Sequence, residues 1–389
     1  MGSGIRLKFA SALKQGINFT VRNVKKLTRS LVVIYLAGLE LVFGLVVFSE
    51  AHGEEPLYYE RYRLAPDSPT VDVGIQPLGY PSGVLTAVMR HDEILKSKLL
   101  ALAQPIQLHP FRRGADMLPL LADGRLDAAL IGDMPTLLAA VSDHIWIVGL
   151  AKQSPTAIVA REQTQLRGLA GKRIAYVEAS SAHQTLLQGL SSAGLKEADV
   201  RLLPMRVDEM PDALKRGDID AFAAWEPAPS IALAANEMNR IIFRGLSSDY
   251  FVIRKSFARQ SPAAVEALIA GYVRAIEWLR LSQKNIERAA AWAQADTEQF
   301  AEHRSSLPVA LIVAITRREI LNIPSAPSII RNLNSSPPLL GEFEFLKRLG
   351  KLPANSKWEN IANALNNDLM AGVLANPRHH QTNSFDYRD

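Results

Sequence analysis

The residues most suggestive of chemistry are Ser180, Ser181, Ala182 and His183, at the predicted start of a helix. They follow residues 174–177, a short apolar run that predicts a buried strand. Serine is a preferred N-cap residue, and the first N–H groups of a helix have no acceptor within the helix. These groups and the positive end of the helix dipole suit an anion. The same pattern is also typical of an ordinary strand–helix connection with a good cap.

A catalytic function has little support in the sequence. Ser181 and His183 have the residue types of a nucleophile and its base, but no motif marks the oxyanion hole and orienting acid that a serine hydrolase needs. The chain contains no cysteine, which excludes a thiolate nucleophile and cysteine-ligated zinc. P-loop, dinucleotide-binding and zinc-protease motifs are absent as well. We therefore predict a protein that is not an enzyme and has no cofactor or metal, and we interpret His379-His380 as a feature of the tail.

The net charge of +5 is concentrated at the N-terminus. Residues 1–29 contain seven of the 44 Lys and Arg residues and none of the 39 acidic ones, so the remaining chain has 37 basic and 39 acidic residues. A nearly neutral folded part argues against a nucleic-acid-binding protein, which usually carries a basic face. The hydrophobic content of 48% is ordinary for a folded protein.

Residues 31–48 (LVVIYLAGLELVFGLVVF) are apolar except for Glu40, and this run is just long enough to span a membrane. Basic residues precede it and acidic residues follow it, so the positive-inside rule places the rest of the chain outside the cytoplasm. Small residues at positions 49 and 51 suit cleavage by signal peptidase. The long basic segment before the run suits a retained anchor instead. A cleaved signal and a transmembrane helix both remain open for residues 1–50.

An internal repeat predicts two similar α/β lobes after a polar, proline-containing linker at residues 51–70. Residues 121–135 (LADGRLDAALIGDMP) and 214–227 (LKRGDIDAFAAWEP) each contain a helix end, a glycine, an aspartate, an apolar strand and an acid–proline loop. Helix–glycine–strand connections are, however, common in α/β proteins. The predicted division is lobe I over 71–165, lobe II over 166–248, a return to lobe I with C-terminal helices over 249–375, and a disordered tail over 376–389.

Several motifs occur together in one known family. In chain order they are Val73-Gly74-Ile75-Gln76, Phe111-Arg112-Arg113-Gly114, Gly132-Asp133-Met134-Pro135, Ser180-Ser181-Ala182-His183 and Trp225-Glu226-Pro227. By their order and spacing over about residues 71–350, the chain resembles the periplasmic substrate-binding proteins of ABC importers for aliphatic sulfonates, taurine and nitrate. Those proteins are similar to thiamine-pyrimidine precursor-binding proteins. The resemblance implies an α/β, two-lobed periplasmic-binding-protein fold (type II-like) with a two-strand hinge.

The resemblance also implies a function and a site. A small anionic or zwitterionic ligand would bind between the lobes, in the periplasm, for delivery to an ABC permease and its ATPase. Ser181, Ala182 and His183 would meet the anionic head, Gln76 and Asp133 would orient the polar remainder, and Trp225 would stack on the ligand body. The full candidate set is Gln76, Gly114, Asp133, Met134, Ser180, Ser181, Ala182, His183, Trp225 and Glu226.

The chain departs from the family pattern at three places. Residues 77–81 form an insertion after Gln76, Glu226 replaces the usual aspartate, and Arg112-Arg113 replaces small or polar residues. These departures affect the expected substrate rather than the fold.

Two other functional classes remain as alternatives. One is an enzyme on the same fold, of the thiamine-pyrimidine or menaquinone-pathway type, against which the lack of cysteine and the predicted export argue. The other is a sensor or accessory binding protein, tethered to the inner membrane by residues 31–48.

Overall fold

The computed structural model describes residues 55–66, 68–162, 164–301, 307–323 and 339–388. The chain divides into two units, Met1–Arg63 and Leu64–Asp389. The predicted leader and apolar run at 1–50 lie outside the described residues. Within the described ranges, no helix is both long enough and apolar enough to cross a membrane.

The described part of the first unit contains the helix α1 (Glu55–Glu60), which lies within the linker predicted over 51–70. The rings of Tyr58 and Tyr59 meet edge to face, with centroids 5.4 Å apart. The guanidinium of Arg61 lies 3.5 Å from the centroid of the Tyr58 ring. Such aromatic and cation–π contacts stabilise a short helix that composition alone does not indicate.

The described part of the second unit contains one mixed sheet. Its strands are β1 (Val71–Ile75), β2 (Ile106–Pro110), β3 (Ala128–Gly132), β4 (Ile145–Ala160), β5 (Arg173–Tyr176), β6 (Arg201–Pro204), β7 (Ala221–Ala224) and β8 (Arg240–Arg254). Their order across the sheet is β2-β1-β3-β8-β4-β7-β5-β6. We call β2-β1-β3 the first half and β7-β5-β6 the second half; the strands within each half are parallel. This symmetric arrangement confirms the predicted α/β fold of two lobes.

The two halves are joined by β4 and β8, which pair with each other in antiparallel register along their whole length. The sequence has separate apolar runs at 145–150 and 157–160, which predict two short strands, but β4 is continuous from Ile145 to Ala160. The polar residues in between remain in the strand and pair with β8 through their backbones. Lys152 among them is 3% exposed, and its Nζ lies 3.2 Å from Oδ1 of Asp249 on β8.

Helices pack on the sheet and beyond it. They are α2 (Ser82–Arg90), α3 (Glu93–Ala101), α4 (Leu118–Ala122), α5 (Asp133–Val141), α6 (Ser181–Ser192), α7 (Met210–Arg216), α8 (Ala228–Ala235), α9 (Lys255–Gln260), α10 (Pro262–Leu281), α11 (Gln283–Ala301), α12 (Val309–Glu319), α13 (Leu340–Arg348), α14 (Trp358–Ala364), α15 (Asn367–Ala375) and α16 (Pro377–His380). The largest described core lies in the first half, where α2, α10 and α11 cover β1 and β3. Smaller cores lie on the two faces of the second half.

The tail predicted to be disordered is instead ordered against the first half. Fully buried Arg274 donates from Nε to Asp92 Oδ2 over 2.8 Å, and from Nη1 to the carbonyl of His380 over 3.1 Å. Asp92 also forms an antiparallel bridge with Tyr387, whose ring packs 4.5 Å from that of Trp278. A buried guanidinium has more donors than one carboxylate accepts, and the tail carbonyls accept from the Nη1 group that Asp92 does not engage.

The internal repeat has a physical basis in each half. Gly124 and Gly217 both adopt positive φ, at +85° and +81°, where glycine ends a helix without steric cost. Three residues later, Asp127 and Asp220 accept hydrogen bonds of 3.0 and 2.9 Å from a backbone N–H at the start of β1 and β5, respectively. Each aspartate therefore ties two parallel strands together at the same place in its half.

The two aspartates differ in burial, which predicts unequal mutational effects. Asp127 pairs with Arg254 at 2.7 Å with side-chain exposures of 11% and 15%, whereas Asp220 and Arg173 are 22% and 39% exposed. Breaking a buried pair typically costs about 3–5 kcal/mol, and losing an exposed pair about 1 kcal/mol or less. We expect Asp127→Ala to lower the free energy of unfolding, measured by urea denaturation, by clearly more than Asp220→Ala. Equal losses would contradict this account.

Candidate functional site

The loops after β1, β3, β5 and β7 converge between the two halves, beside the middle of β4 and β8; we call this region the cleft. The halves touch each other there. The Oγ of Ser181 donates to the Oγ of Ser247 on β8 over 3.0 Å. The N–H of Tyr80, after β1, donates to the carbonyl of Glu226, after β7, over 3.4 Å. The carboxyl ends of parallel strands are the usual ligand-binding edge of such sheets.

Close packing on β4 and β8, the two strands that join the halves and that we call the hinge strands, positions α6 in the cleft. A Cβ atom at Gly245 of β8 would lie 2.0 Å from Oγ1 of Thr185, so only glycine lets α6 approach this closely. The hydroxyl of Thr185 also hydrogen-bonds that of Thr156 on β4. The helix start is therefore held against both hinge strands rather than on a free loop.

The first turn of α6 presents donors that have no acceptor. The N-cap is Ser180, whose Oγ accepts from the N–H of His183 over 3.2 Å and donates to the carbonyl of Val177 over 2.6 Å. Within the described part of the chain, nothing accepts from the N–H groups of Ser181 and Ala182. The predicted cap is thus confirmed, and it leaves two backbone donors available at the positive end of the helix dipole.

His183 adds a third donor to this turn. It is 4% exposed, and burial lowers its pKa to about 4, so the ring is neutral at pH 7. Its Nδ1 accepts from the N–H of Ala179 over 3.2 Å, which leaves the proton of the neutral ring on Nε2. Nε2 is buried, and no described residue forms a hydrogen bond with it. An unsatisfied buried donor costs about 1–3 kcal/mol, which an acceptor from a ligand would remove.

The opposite wall of the cleft is acidic. Asp133, at the start of α5, is 2% exposed and accepts from the N–H groups of Ser248 (3.1 Å) and Met134 (2.8 Å). Burial, and to a lesser extent the charge of Glu342, raise its pKa to about 7 against the opposing effects of the Ser248 N–H and Lys152. The carboxyl of Asp133 is thus poised between its charged and neutral forms near neutral pH.

Glu342 belongs to α13, which contacts both α5 and α6 across the cleft. The amide of Gln184 on α6 donates to the carbonyl of Gly341 over 3.3 Å, and the Phe345 ring meets the His183 ring edge to face at 5.7 Å. Burial raises the pKa of Glu342 as well. The C-terminal part of the chain therefore closes the cleft and adds a carboxyl group to its acidic side.

The remaining predicted site residues of the first half also lie close together. A Cβ atom at Gly114 would lie 2.7 Å from Cγ of Pro135 and 3.3 Å from Oε1 of Gln76, so glycine is needed where these three loops meet. Met134 is 1% exposed. The structure thus brings Gln76, Gly114 and the start of α5 to one edge of the cleft.

Glu226 in the second half is engaged by protein groups. Its carboxylate accepts from Nη2 of Arg318 on α12 over 2.8 Å and from the N–H of Ser230 over 3.2 Å. Trp225 is half-buried, and its Nε1 lies 3.9 Å from the position of a Cβ on Gly79 in the other half. Trp225 therefore lies where the two halves meet, whereas the Glu226 carboxylate links two elements of the structure.

Sequence reasoning missed the hinge residues Lys152, Ser247, Ser248 and Asp249, and it missed Glu342. Lys152 lies between the apolar runs at 145–150 and 157–160, where a lysine indicates an exposed loop, because lysine is rarely buried without a charged partner. The serines and Asp249 carry no signal of burial either, because their polar run resembles a turn. The side chain of Glu342 reaches the cleft only through the packing of α13 on α5 and α6.

The raised pKa of Asp133 predicts a pH-dependent stability. Between its ordinary value of 3.8 and about 7, the folded protein holds a proton that the unfolded chain releases, so stability from this group is full below pH 4 and is lost as the pH rises to 7. Asp133→Asn removes this dependence. We expect its free energy of unfolding, relative to the wild type, to rise by on the order of 4 kcal/mol from pH 4 to pH 8, measured by urea denaturation.

The exposed Asp123 offers the matched control for that experiment. Asp123→Asn removes a carboxylate at the surface, so it shows whether the effect depends on the buried position of Asp133. A difference between Asp133→Asn and the wild type that stays constant from pH 4 to pH 8 would contradict the assignment.

Two curated proteins are similar to this chain in sequence. It is 26% identical over 205 residues to the putative aliphatic sulfonates-binding protein of Escherichia coli (strain K12), covering 50% of this chain and 64% of that protein. It is 24% identical over 257 residues to the taurine-binding periplasmic protein of the same organism, covering 63% of this chain and 78% of that protein. The chain thus spans somewhat less than two thirds of the length of the first relative.

Solved structures share the fold. The periplasmic aliphatic sulphonate binding protein SsuA from Escherichia coli matches with a TM-score of 0.60 at 19% identity, over 76% of this chain and 92% of that chain. The desulfurization enzyme DszB matches with a TM-score of 0.53 at 15% identity, over 79% of this chain and 99% of that chain. The fold is therefore found in binding proteins and in an enzyme.

A family model, described as the NMT1-like family, matches residues 66–294, more than half of the sequence. The chain belongs to the NMT1-like family.

Proposed function

We propose that the chain is an extracytoplasmic solute-binding protein that captures a small organic anion, such as a sulfonate, for an ABC importer. The observation that carries this proposal is the first turn of α6, where two backbone N–H groups and the buried Nε2 of His183 have no acceptor among the described residues. All three groups are donors at the positive end of a helix. The relatives named for sulfonate and taurine binding support the same ligand class.

The acidic wall of the cleft narrows the ligand class to zwitterions. Asp133, Asp249 and Glu342 contribute carboxyl groups there, and Lys152 is already paired with Asp249. A ligand with only negative charge would be repelled by the remaining carboxylates. An amino sulfonate of the taurine type would place its sulfonate at the start of α6 and its ammonium group towards Asp133 and Glu342.

Other predicted residues keep their proposed roles, with one exception. Gln76 would orient the polar part of the ligand, and the ring of Trp225 would cover its carbon chain; Gly114 and Met134 would shape the same edge. The carboxylate of Glu226 is satisfied by Arg318 and Ser230. We therefore assign Glu226 a positioning role for the loop of Trp225 rather than a ligand contact.

An enzyme on this fold is the second candidate, favoured by the likeness to DszB. Two observations weigh against it. The chain has no cysteine, and the Ser181 hydroxyl donates to Ser247 while Nδ1 of His183 accepts from a backbone N–H. Ser181 and His183 are thus not arranged as a nucleophile and its base.

Delivery to a permease and its ATPase completes the proposal. The basic N-terminus and the apolar run at 31–48 support export across the inner membrane. A run retained after export would tether the binding protein beside its permease, and a cleaved one would release it into the periplasm.

The anion contact can be tested by calorimetric titration with taurine. His183→Phe keeps an aromatic ring in the first turn of α6 but removes the Nε2 donor. Loss of a hydrogen bond to a charged group costs about 1.5–3 kcal/mol, so we expect the affinity to fall roughly ten- to a hundredfold. His144→Phe, at an exposed histidine just before β4, is the matched control. Wild-type affinity in a folded His183→Phe variant would place the site elsewhere.

The zwitterion preference can be tested with a matched ligand pair. Isethionate has a hydroxyl group where taurine has an ammonium group, so the two differ only at the end that would face Asp133 and Glu342. We expect taurine to bind at least about tenfold more tightly, since ion pairs in partly buried sites are worth 1 kcal/mol or more. Glu342→Gln should reduce this ratio through weaker taurine binding. Equal binding of both ligands would refute the ammonium site but leave the anion site standing.

A further inference from the structure

One carboxylate and two imidazoles meet where the tail packs on α10, away from the residues that line the cleft. Glu266 lies on α10, and His379 and His380 end the short helix α16. The ligand atoms of these three side chains all lie within 4.8 Å of one another. The sequence predicts no metal here, because two adjacent histidines in a tail carry little signal until a residue distant in the sequence is placed beside them.

These side chains have no competing partners. In the ranges that the structure describes, no hydrogen bond or ion pair engages the carboxylate of Glu266 or either imidazole ring. The two rings contact each other edge to face, with centroids 4.7 Å apart. The lone pairs that a metal ion would need are therefore not used by the protein.

The backbone that carries the histidines is held in place. The carbonyl of His380 accepts from Nη1 of buried Arg274 over 3.1 Å, and the carbonyl of His379 accepts from Nζ of Lys98 over 3.3 Å. His380 itself is 7% exposed. The side chains of Glu266 and His379 are exposed and can rotate. Glu266 and His379 can therefore adjust their positions around a metal ion, whereas His380 is held in place.

We propose that Glu266, His379 and His380 bind a zinc ion. Imidazole nitrogen and carboxylate oxygen bind zinc at about 2.0–2.2 Å, which sets tetrahedral ligand atoms roughly 3.4 Å apart. Rotation of the two exposed side chains covers the difference from the spacing in the structure. Two imidazoles favour zinc over magnesium or calcium, which prefer oxygen ligands. Three protein ligands leave the fourth position to water.

The ion would attach the C-terminal tail to α10. The tail otherwise depends on Arg274 and on the contacts of Tyr387 with Asp92 and Trp278. An ion that binds only the folded state stabilises it by about 2.7 kcal/mol at a hundred times its dissociation constant. Zinc would thus oppose local opening of residues 377–388 without contact with the cleft.

The test is zinc titration of the full-length chain after treatment with EDTA, by calorimetry and equilibrium dialysis. We expect one zinc ion per wild-type chain. Glu266→Gln and His379→Ala should each weaken binding by at least the roughly tenfold typical for the loss of a residue that merely supports a metal site. His144→Ala, at an exposed histidine on another element, is the matched control. Melting temperatures without metal check that each variant is folded.

A second readout separates this site from unspecific binding. Hydrogen exchange at residues 377–388 should slow on addition of zinc in the wild type and in His144→Ala, but not in His379→Ala. The proposal is overturned if zinc binding is unaffected by both Glu266→Gln and His379→Ala, or if no stoichiometric zinc binds the wild type. Equal protection of the tail by magnesium would overturn the assignment of imidazole ligands.

Discussion

The antiparallel pairing of β4 and β8 is the constraint on which the rest of the second unit depends. It runs from Ile145 opposite Arg254 to Ala160 opposite Arg240, and three register shifts interrupt it. Each parallel half is joined to this ladder by one of its own strands, β3 to β8 and β7 to β4. Because bulges bend and twist a strand pair locally, the ladder can both connect the halves and allow them to move.

The centre of that ladder also supplies the charges of the cleft. Buried Lys152 pairs there with the largely buried Asp249, and the N–H of Ser248 on β8 donates to Asp133 at the start of α5. Burying such groups is unfavourable unless they are paired, so the polar middle of the hinge strands is stable only while both halves and α13 surround it. Under the proposed function, a ligand ammonium group beside Asp133 would favour the charged form of that carboxyl group.

The C-terminal part of the chain has two separate roles in this arrangement. Its helix α13 bridges α5 and α6 over the cleft, and its last residues pack on α10 through Arg274. A family match over 66–294 does not reach either segment. The cleft cover and the proposed zinc ligands of the tail therefore lie beyond the residues that the family model matches.

Local patterns in the sequence determined the α/β class, the repeated glycine and aspartate of the two halves, and the capped start of α6, because propensity, turn geometry and capping act over a few residues. The tertiary structure alone decided the rest. The continuity of β4, the order of the tail and the position of Glu342 depend on polar groups that are buried against partners distant in the sequence. Lys152 needs Asp249, and Arg274 needs both Asp92 and the tail carbonyls. In the sequence alone, the same residues indicate loops and disorder. A charged side chain is buried only where it meets a partner, because burying an unpaired charge is energetically unfavourable, and the sequence does not show which distant residue that partner is.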